Sequence, residues 1–408
     1  MLKTDQMHQI AAPVSARKPR RWLKWTSLLL LIIVASVSVG CGKPITPYWP
    51  DLAVVGDTVY VAETSGQVFA LSAETGDILW TYPLTQRRGG GLLSGCSAPT
   101  ASDGPFVSAP VVNDEFVFLG SGGEQTRSLF SKGENLSGLR ALNQTGILQW
   151  EFRGAEDRTV ASPLLTDDTV YLASSDHNVY AIDLETRDAR WAFETENWVW
   201  AAPIIEGNTL FVSSMDHQLY AVDAQTGQEL WRFAGSTSAL PASPALVEGV
   251  LYVGSLDGHV YAVESDSGSL LWEVQLAGGI WGTPRIEGDT LFTGTLNGQV
   301  YALSTADGSK IWQSEADGEI RGSVAYVDGT VYCGSEDGQL YAFDAQSGAQ
   351  TASPLGQQIE DASIHTAPVY DGEQLYIVAT DGQVFALDLE RKAIVWRTNP
   401  LEQDQEEK

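Results

Sequence analysis

The sequence predicts an all-β protein, an eight-bladed β-propeller of four-stranded antiparallel blades. Three observations predict it. A Trp recurs every 40 or 41 residues from Trp150 to Trp312. Most of these Trp follow a Tyr or Phe by eleven residues, and the stretches between alternate apolar and polar residues around Asn-Gly or Asp-Gly turns. Alternation with period two marks strands, and a repeat of about 40 residues has the length of a propeller blade.

The first 40 residues read as an address and are set apart from the fold. Lys3, Arg17, Lys18, Arg20, Arg21 and Lys24 precede an apolar run from Leu28 to Val39, which ends at Gly40-Cys41. That is the order of a secretory signal. The run is too short to cross a ~30 Å hydrocarbon core comfortably, which takes about 20 residues. The Val-Gly-Cys ending resembles a bacterial lipobox with Cys41 as the lipidated residue, although Ser38 stands where an aliphatic residue is usual. An uncleaved membrane anchor is the alternative. The Arg20-Arg21 pair lacks the residues that would complete a twin-arginine signal. Residues 41–49, with Pro44 and Pro47, form the expected tether.

Charge narrows the function. The chain has 24 Lys and Arg against 52 Asp and Glu, a net charge of −28. Removal of residues 1–40 takes away six basic residues and Asp5, leaving 18 against 51, or −33. Nucleic acid is excluded as a partner, because a phosphate backbone needs a basic surface. The three Cys, at 41, 96 and 333, make neither a disulfide framework nor a Cys-rich zinc site.

Residues 50–398 hold the repeats. The eleven-residue spacing joins Phe69 to Trp80, Tyr180 to Trp191, Tyr220 to Trp231, Tyr261 to Trp272, Tyr301 to Trp312 and Phe385 to Trp396. Two copies are degenerate: Ala141-Leu142 leads to Trp150 with one residue fewer, and Tyr341 leads to Ala352, where the Trp is lost. Within a copy, Thr290–Gly294 alternates, Asn297-Gly298 turns the chain, and Val300–Leu303 alternates again. Turns at Gly288-Asp289 and Asp307-Gly308 complete four short strands. A sheet this small cannot bury both faces, so the blades stack around an axis, with Trp80, Trp150, Trp191, Trp231, Trp272, Trp312 and Trp396 as apolar wedges between neighbours. Residues 399–408 read as an acidic, disordered tail.

The segment Ala221-Val222-Asp223-Ala224-Gln225-Thr226-Gly227-Gln228-Glu229-Leu230-Trp231 resembles the tryptophan-docking motif of the pyrroloquinoline-quinone (PQQ) repeat superfamily. The resemblance covers residues about 50 to 398. It implies an eight-bladed propeller of one of two kinds: a large PQQ-dependent dehydrogenase, or a smaller BamB-like lipoprotein of outer-membrane protein assembly. The enzymes hold an orthoquinone with three carboxylates beside Ca²⁺, and commonly close a ring of two adjacent Cys over it. No adjacent Cys pair exists here, the inter-repeat segments are short, and the only basic residues that stand out are Arg87-Arg88 and Arg321. No phosphate loop, His-Glu-x-x-His or nucleophile elbow occurs. Asp176-His177 and Asp216-His217 replace Asp-Gly at consecutive hairpins, where the two His either share a metal or occupy left-handed turn positions. Cys333 reads as a small buried hydrophobe.

The expected function is therefore that of a non-enzymatic, exported, membrane-anchored scaffold that binds envelope proteins and takes no cofactor. A dehydrogenase using PQQ and Ca²⁺, or a propeller binding another small molecule, is the alternative. The partner face follows from the lead-in to each blade. Tyr48, Phe106, Thr159, Val199, Leu240, Ile280, Ile320 and Ile364 form an almost wholly apolar set that should pack away. The next residues, Trp49, Val107, Val160, Trp200, Pro241, Trp281, Arg321 and His365, should ring the channel mouth. Packing does not need three Trp, an Arg and a His there. With Trp198 they mark the partner-binding face: Trp49, Trp198, Trp200, Trp281, Arg321 and His365. Two enlarged loops, Thr81 to Ala109 and Ser121 to Gly138, fall on the same face.

Overall fold

A computed structural model describes residues 50–83, 105–106, 108–122 and 137–406. The expected signal, Cys41, the tether, Trp49, Arg87-Arg88, Cys96, Val107 and most of both enlarged loops lie outside the described residues.

Among the described residues eight antiparallel sheets follow one another along the chain, seven of four strands and one of three. Each is a meander in sequence order, and the sixth blade is representative: Arg285–Glu287, Thr290–Gly294, Gln299–Ser304 and Lys310–Glu315. The second and third strands of a blade are buried almost throughout, because both of their faces meet a neighbouring blade. The fourth strand is the outer rim and alternates between exposed and covered positions. First strands lie innermost, and those of adjacent blades run side by side around the channel.

The repeated Trp does what its spacing predicts. Between third and fourth strands the register slips by one residue, so that Ala302 faces Trp312 while Leu303 faces Lys310. The extra residue, Ile311, is pushed outward and is 51% exposed. The bulge aims the following indole at the next blade. Trp312 Nε1 donates to the Ala345 carbonyl at 2.8 Å, and Trp191, Trp231 and Trp272 donate to Ala224, Ser265 and Thr305 in the same way. The ring lies flat on a glycine of that blade: a Cβ on Gly268 would stand 2.5 Å from the Trp231 ring. Trp150 is the exception. Its neighbour offers Arg187 at φ 66° instead of glycine, and the guanidinium sits 5.8 Å from the indole centroid.

The last seam closes by the same device. Trp396 Nε1 donates to the Ala73 carbonyl at 2.8 Å, and its ring packs on Gly76 of the first blade. Leu52, Val59, Val61, Phe69 and Leu71 bury against Tyr376, Val378, Val384 and Ala386 across this seam. Among the described residues no strand is exchanged between first and last blades: Asp51–Val55 to Ile78–Tyr82 make one sheet, and Val369–Tyr370 to Ala393–Thr398 make another.

Two local features depart from the repeat. The seventh blade, where Trp is lost at Ala352, has three strands, Ala325–Val327, Thr330–Gly334 and Leu340–Asp344. Only an isolated bridge, Phe343 to Gln350, remains of the fourth. Leu355 and Ile359 bury against the blade in its stead, beside Leu340 and Ala342. The other lies beyond the last blade. Pro400–Glu406 is a helix whose first residues are capped by Asn399, and Leu401 packs on the first-to-last seam.

Candidate partner-binding site at the channel mouth

The lead-in segments place the candidate residues. Phe106, Thr159, Val199, Leu240, Ile280, Ile320 and Ile364 all have no exposed surface, as their apolar pattern predicts. Ile280, Ile320 and Ile364 seat against Gly254, Gly294 and Gly334 of the preceding blade, where no side chain could fit. With each of these locked inward, the residue that follows is turned to the channel. Val160, Trp200, Pro241, Trp281, Arg321 and His365 accordingly line one cavity of about 730 Å³, with Asp51 and Glu336.

The cavity has two unlike sides. Blades four to six supply Trp200, Pro241 and Trp281, with the Trp200 and Trp281 centroids 6.3 Å apart. Trp198 stacks on Trp200 at 5.0 Å and 12°, and is itself 41% exposed. Trp200 Nε1 donates to Ser175 Oγ at 3.0 Å, which fixes the indole. Three near-contiguous indoles with an exposed outer member form a rigid platform, costing little side-chain entropy when something lies on it.

Blades seven, eight and one supply the polar side. Arg321 is held by Glu319, and its Nε lies 3.3 Å from Glu336. Glu336 also pairs with His365 Nε2. Burial lowers the His365 pKa, opposed by the carboxylate of Glu336, so the neutral ring is favoured over an ordinary histidine. Asp51 accepts a hydrogen bond from its neighbour Leu52 N–H at 2.9 Å. Desolvation nevertheless pushes its carboxyl up to about 6.

Residue by residue, Trp200, Trp281, Arg321 and His365 come together as expected, and Trp198 stands just outside them. Asp51, Glu319 and Glu336 were not anticipated. Glu336 had a signal, since it stands before the Asp337-Gly338 turn at a position occupied by Ser175, Met215, Leu256 and Leu296 in other repeats. His177 and His217 have φ of 75° and 76°, the left-handed turn geometry that glycine takes in the sister hairpins. Cys333 is wholly buried within its strand, and burial raises its thiol pKa.

Sequence comparison agrees with this architecture. The family described as outer membrane protein assembly factor BamB matches residues 49–192, 136–279 and 256–358, together most of the chain. The chain belongs to the BamB family. A search of curated proteins finds no match. Among solved structures, BamB from Moraxella catarrhalis is similar with a TM-score of 0.65 at 18% identity, over 83% of this chain and 96% of that one. The computationally designed Ika8 protein is similar with a TM-score of 0.66, also at 18% identity, over 83% of this chain and 95% of that one. At such identity the likeness to these BamB and designed propellers concerns the fold.

The wider repeat family is named for PQQ, and the channel residues do not fit it. An orthoquinone bearing three carboxylates needs several free cations. Among the described residues Arg321 is the one Lys or Arg lining the cavity, and two glutamates already hold it. Among the described residues no cluster of three or more His, Cys, Asp or Glu could hold a cation beside such a cofactor.

Proposed function

We propose that this BamB-family propeller is a non-enzymatic scaffold that captures other proteins at its channel mouth. The observation that carries the reading is the Trp198–Trp200–Trp281 platform. Trp198 is exposed and stacks on Trp200, which a hydrogen bond to Ser175 fixes and against which Trp281 tilts, an arrangement suited to interface anchors. The sequence adds the setting: export by residues 1–40, then attachment to a membrane through lipid on Cys41 or an uncleaved anchor, with envelope proteins as partners. A strongly acidic surface supports soluble display and disfavours both nucleic acid and an anionic cofactor.

The test replaces Trp198 by a photo-crosslinking amino acid in the native envelope and compares capture in the wild-type background with capture in Trp200→Ala/Trp281→Ala. Crosslinks to a discrete partner that disappear in the double variant support the reading. Capture from position 198 that persists in a folded double variant overturns it. Incubation with PQQ and Ca²⁺ should leave no bound chromophore and no dye-linked alcohol or sugar oxidation.

A further inference from the structure

We propose that the channel mouth binds a basic side chain, arginine or lysine, presented on an extended, apolar-flanked segment of a partner protein. The inference rests on the scaffold reading and assigns the chemistry of what is captured. Its basis is the division of one cavity into an indole wall on blades four to six and an acid-rich wall on blades seven, eight and one.

The acid-rich wall is under-neutralised. Glu319 and Glu336 take up the Arg321 guanidinium, the one such group on this wall among the described residues, and Asp51 lines the same cavity. The His365 ring is engaged by Glu336, and burial disfavours a charge on it. Asp51 is held by backbone N–H groups of Leu52 and Ala109, and among the described residues no basic side chain pairs with it. A carboxylate in a desolvated wall gains most from a cation brought to it, and an anion arriving there would be repelled. The indole wall has the same preference, since the π-faces of neutral Trp rings present the negative part of a quadrupole, which attracts a cation. Both walls therefore select one sign of charge, and the net charge of −28 draws that sign in from a distance.

Size and shape point to a segment. A cavity of about 730 Å³ accommodates the side chains of a few residues and no folded domain. The platform continues outward from Trp281 through Trp200 to the exposed Trp198, which gives residues flanking the cation an apolar surface to lie on. An extended, proline-containing strand suits an aromatic-lined groove because little of its conformational entropy is lost on binding.

The experiment uses full-length protein with indole ¹⁵N labels and three ten-residue peptides that share a Pro-X-Pro centre. X is arginine, uncharged citrulline or glutamate. The arginine peptide should shift the indole signals of Trp200 and Trp281, bind at least tenfold more tightly than the citrulline peptide, and weaken as salt rises. Asp51→Asn should reduce its affinity about tenfold while the indole spectrum of the free variant stays dispersed as in wild type. Equal binding of arginine and citrulline peptides, tighter binding of the glutamate peptide, or unchanged affinity in Asp51→Asn would overturn the proposal. If crosslinking from position 198 succeeds while the arginine peptide fails, the charge assignment falls and the scaffold reading stands. If the arginine peptide binds at Trp200 and Trp281 but no partner crosslinks there, the scaffold reading falls alone.

Discussion

Glu63 is a carboxylate in a serine's place, and replacing it should stabilise the protein in a way that depends on pH. In the other hairpins the equivalent residue is Ser174, Ser214, Ser255, Thr295, Ser335 or Ala379, each buried without surface exposure. Glu63 is 2% exposed, and its Oε1 has no hydrogen-bond partner. It faces the Asp381-Gly382 turn of the last blade, where Leu401 of the terminal helix also packs. Desolvation first, and then repulsion by Asp381, push its carboxyl up from 4.5 to about 8. The folded-state value is raised, so the wild type has its full stability below about pH 4.5 and loses it as pH rises through about 8. At pH 7 the unfolded chain has ionised this group and the folded chain has not, which costs about 3 kcal/mol at roughly 1.4 kcal/mol per unit. Glu63→Gln keeps the shape and removes the charge. It should therefore raise Tm by about 4 °C at pH 7 for a folded unit of this size, and by almost nothing at pH 4. Thermal melts of both proteins between pH 4 and 9 measure this directly. Parallel Tm curves across that range would refute the argument, as would a Glu63→Gln protein less stable than wild type at pH 7.

Other substitutions probe the seams and turns. Trp396→Ala should cost about 3–5 kcal/mol in urea denaturation, because it empties the wedge and removes the shorter of two hydrogen bonds to the Ala73 carbonyl. Gly268→Ala and Gly329→Ala both force a side chain into positive φ, but only at Gly268 does the new Cβ strike an indole. The Gly329 variant should lose about 1 kcal/mol, the ordinary cost of that backbone geometry, and the Gly268 variant distinctly more. Relieving the left-handed strain at His177 and His217 with glycine should stabilise by up to about 1 kcal/mol in total. In the wild type, added Zn²⁺ should leave Tm unchanged, whereas a metal-dependent rise would revive a role for the two His.

What was legible in the sequence is what the fold uses many times over. The Trp, the aromatic eleven residues before it and the glycine it lands on make the same contact at most seams, so the pattern declares itself by repetition. The ring at the channel mouth was legible for a related reason. Once Val199, Leu240, Ile280 and Ile320 are recognised as locked inward, alternation fixes the direction of Trp200, Pro241, Trp281 and Arg321. Singular contacts were harder to see. Glu336 reaches Arg321 and His365 from a separate hairpin, and nothing in linear order joins the three. Leu355 and Ile359 fill the place of the lost outer strand without any strand-like alternation, because they plug a blade and do not pair with it. The terminal helix was obscured by its acidic composition, although Asn399-Pro400 is a recognisable helix start.

The seam between last and first blades has a consequence for the chain's connectivity. Each blade is built from one uninterrupted stretch, and Trp396 docks on Gly76 much as Trp231 docks on Gly268. The ring therefore does not depend on where the polypeptide happens to start. Joining the segment after the terminal helix to Asp51 by a linker and opening the chain between the fifth and sixth blades would leave every described sheet and Trp docking contact in place. A circularly permuted propeller should fold, and the channel mouth could then be tethered from any point on its circumference.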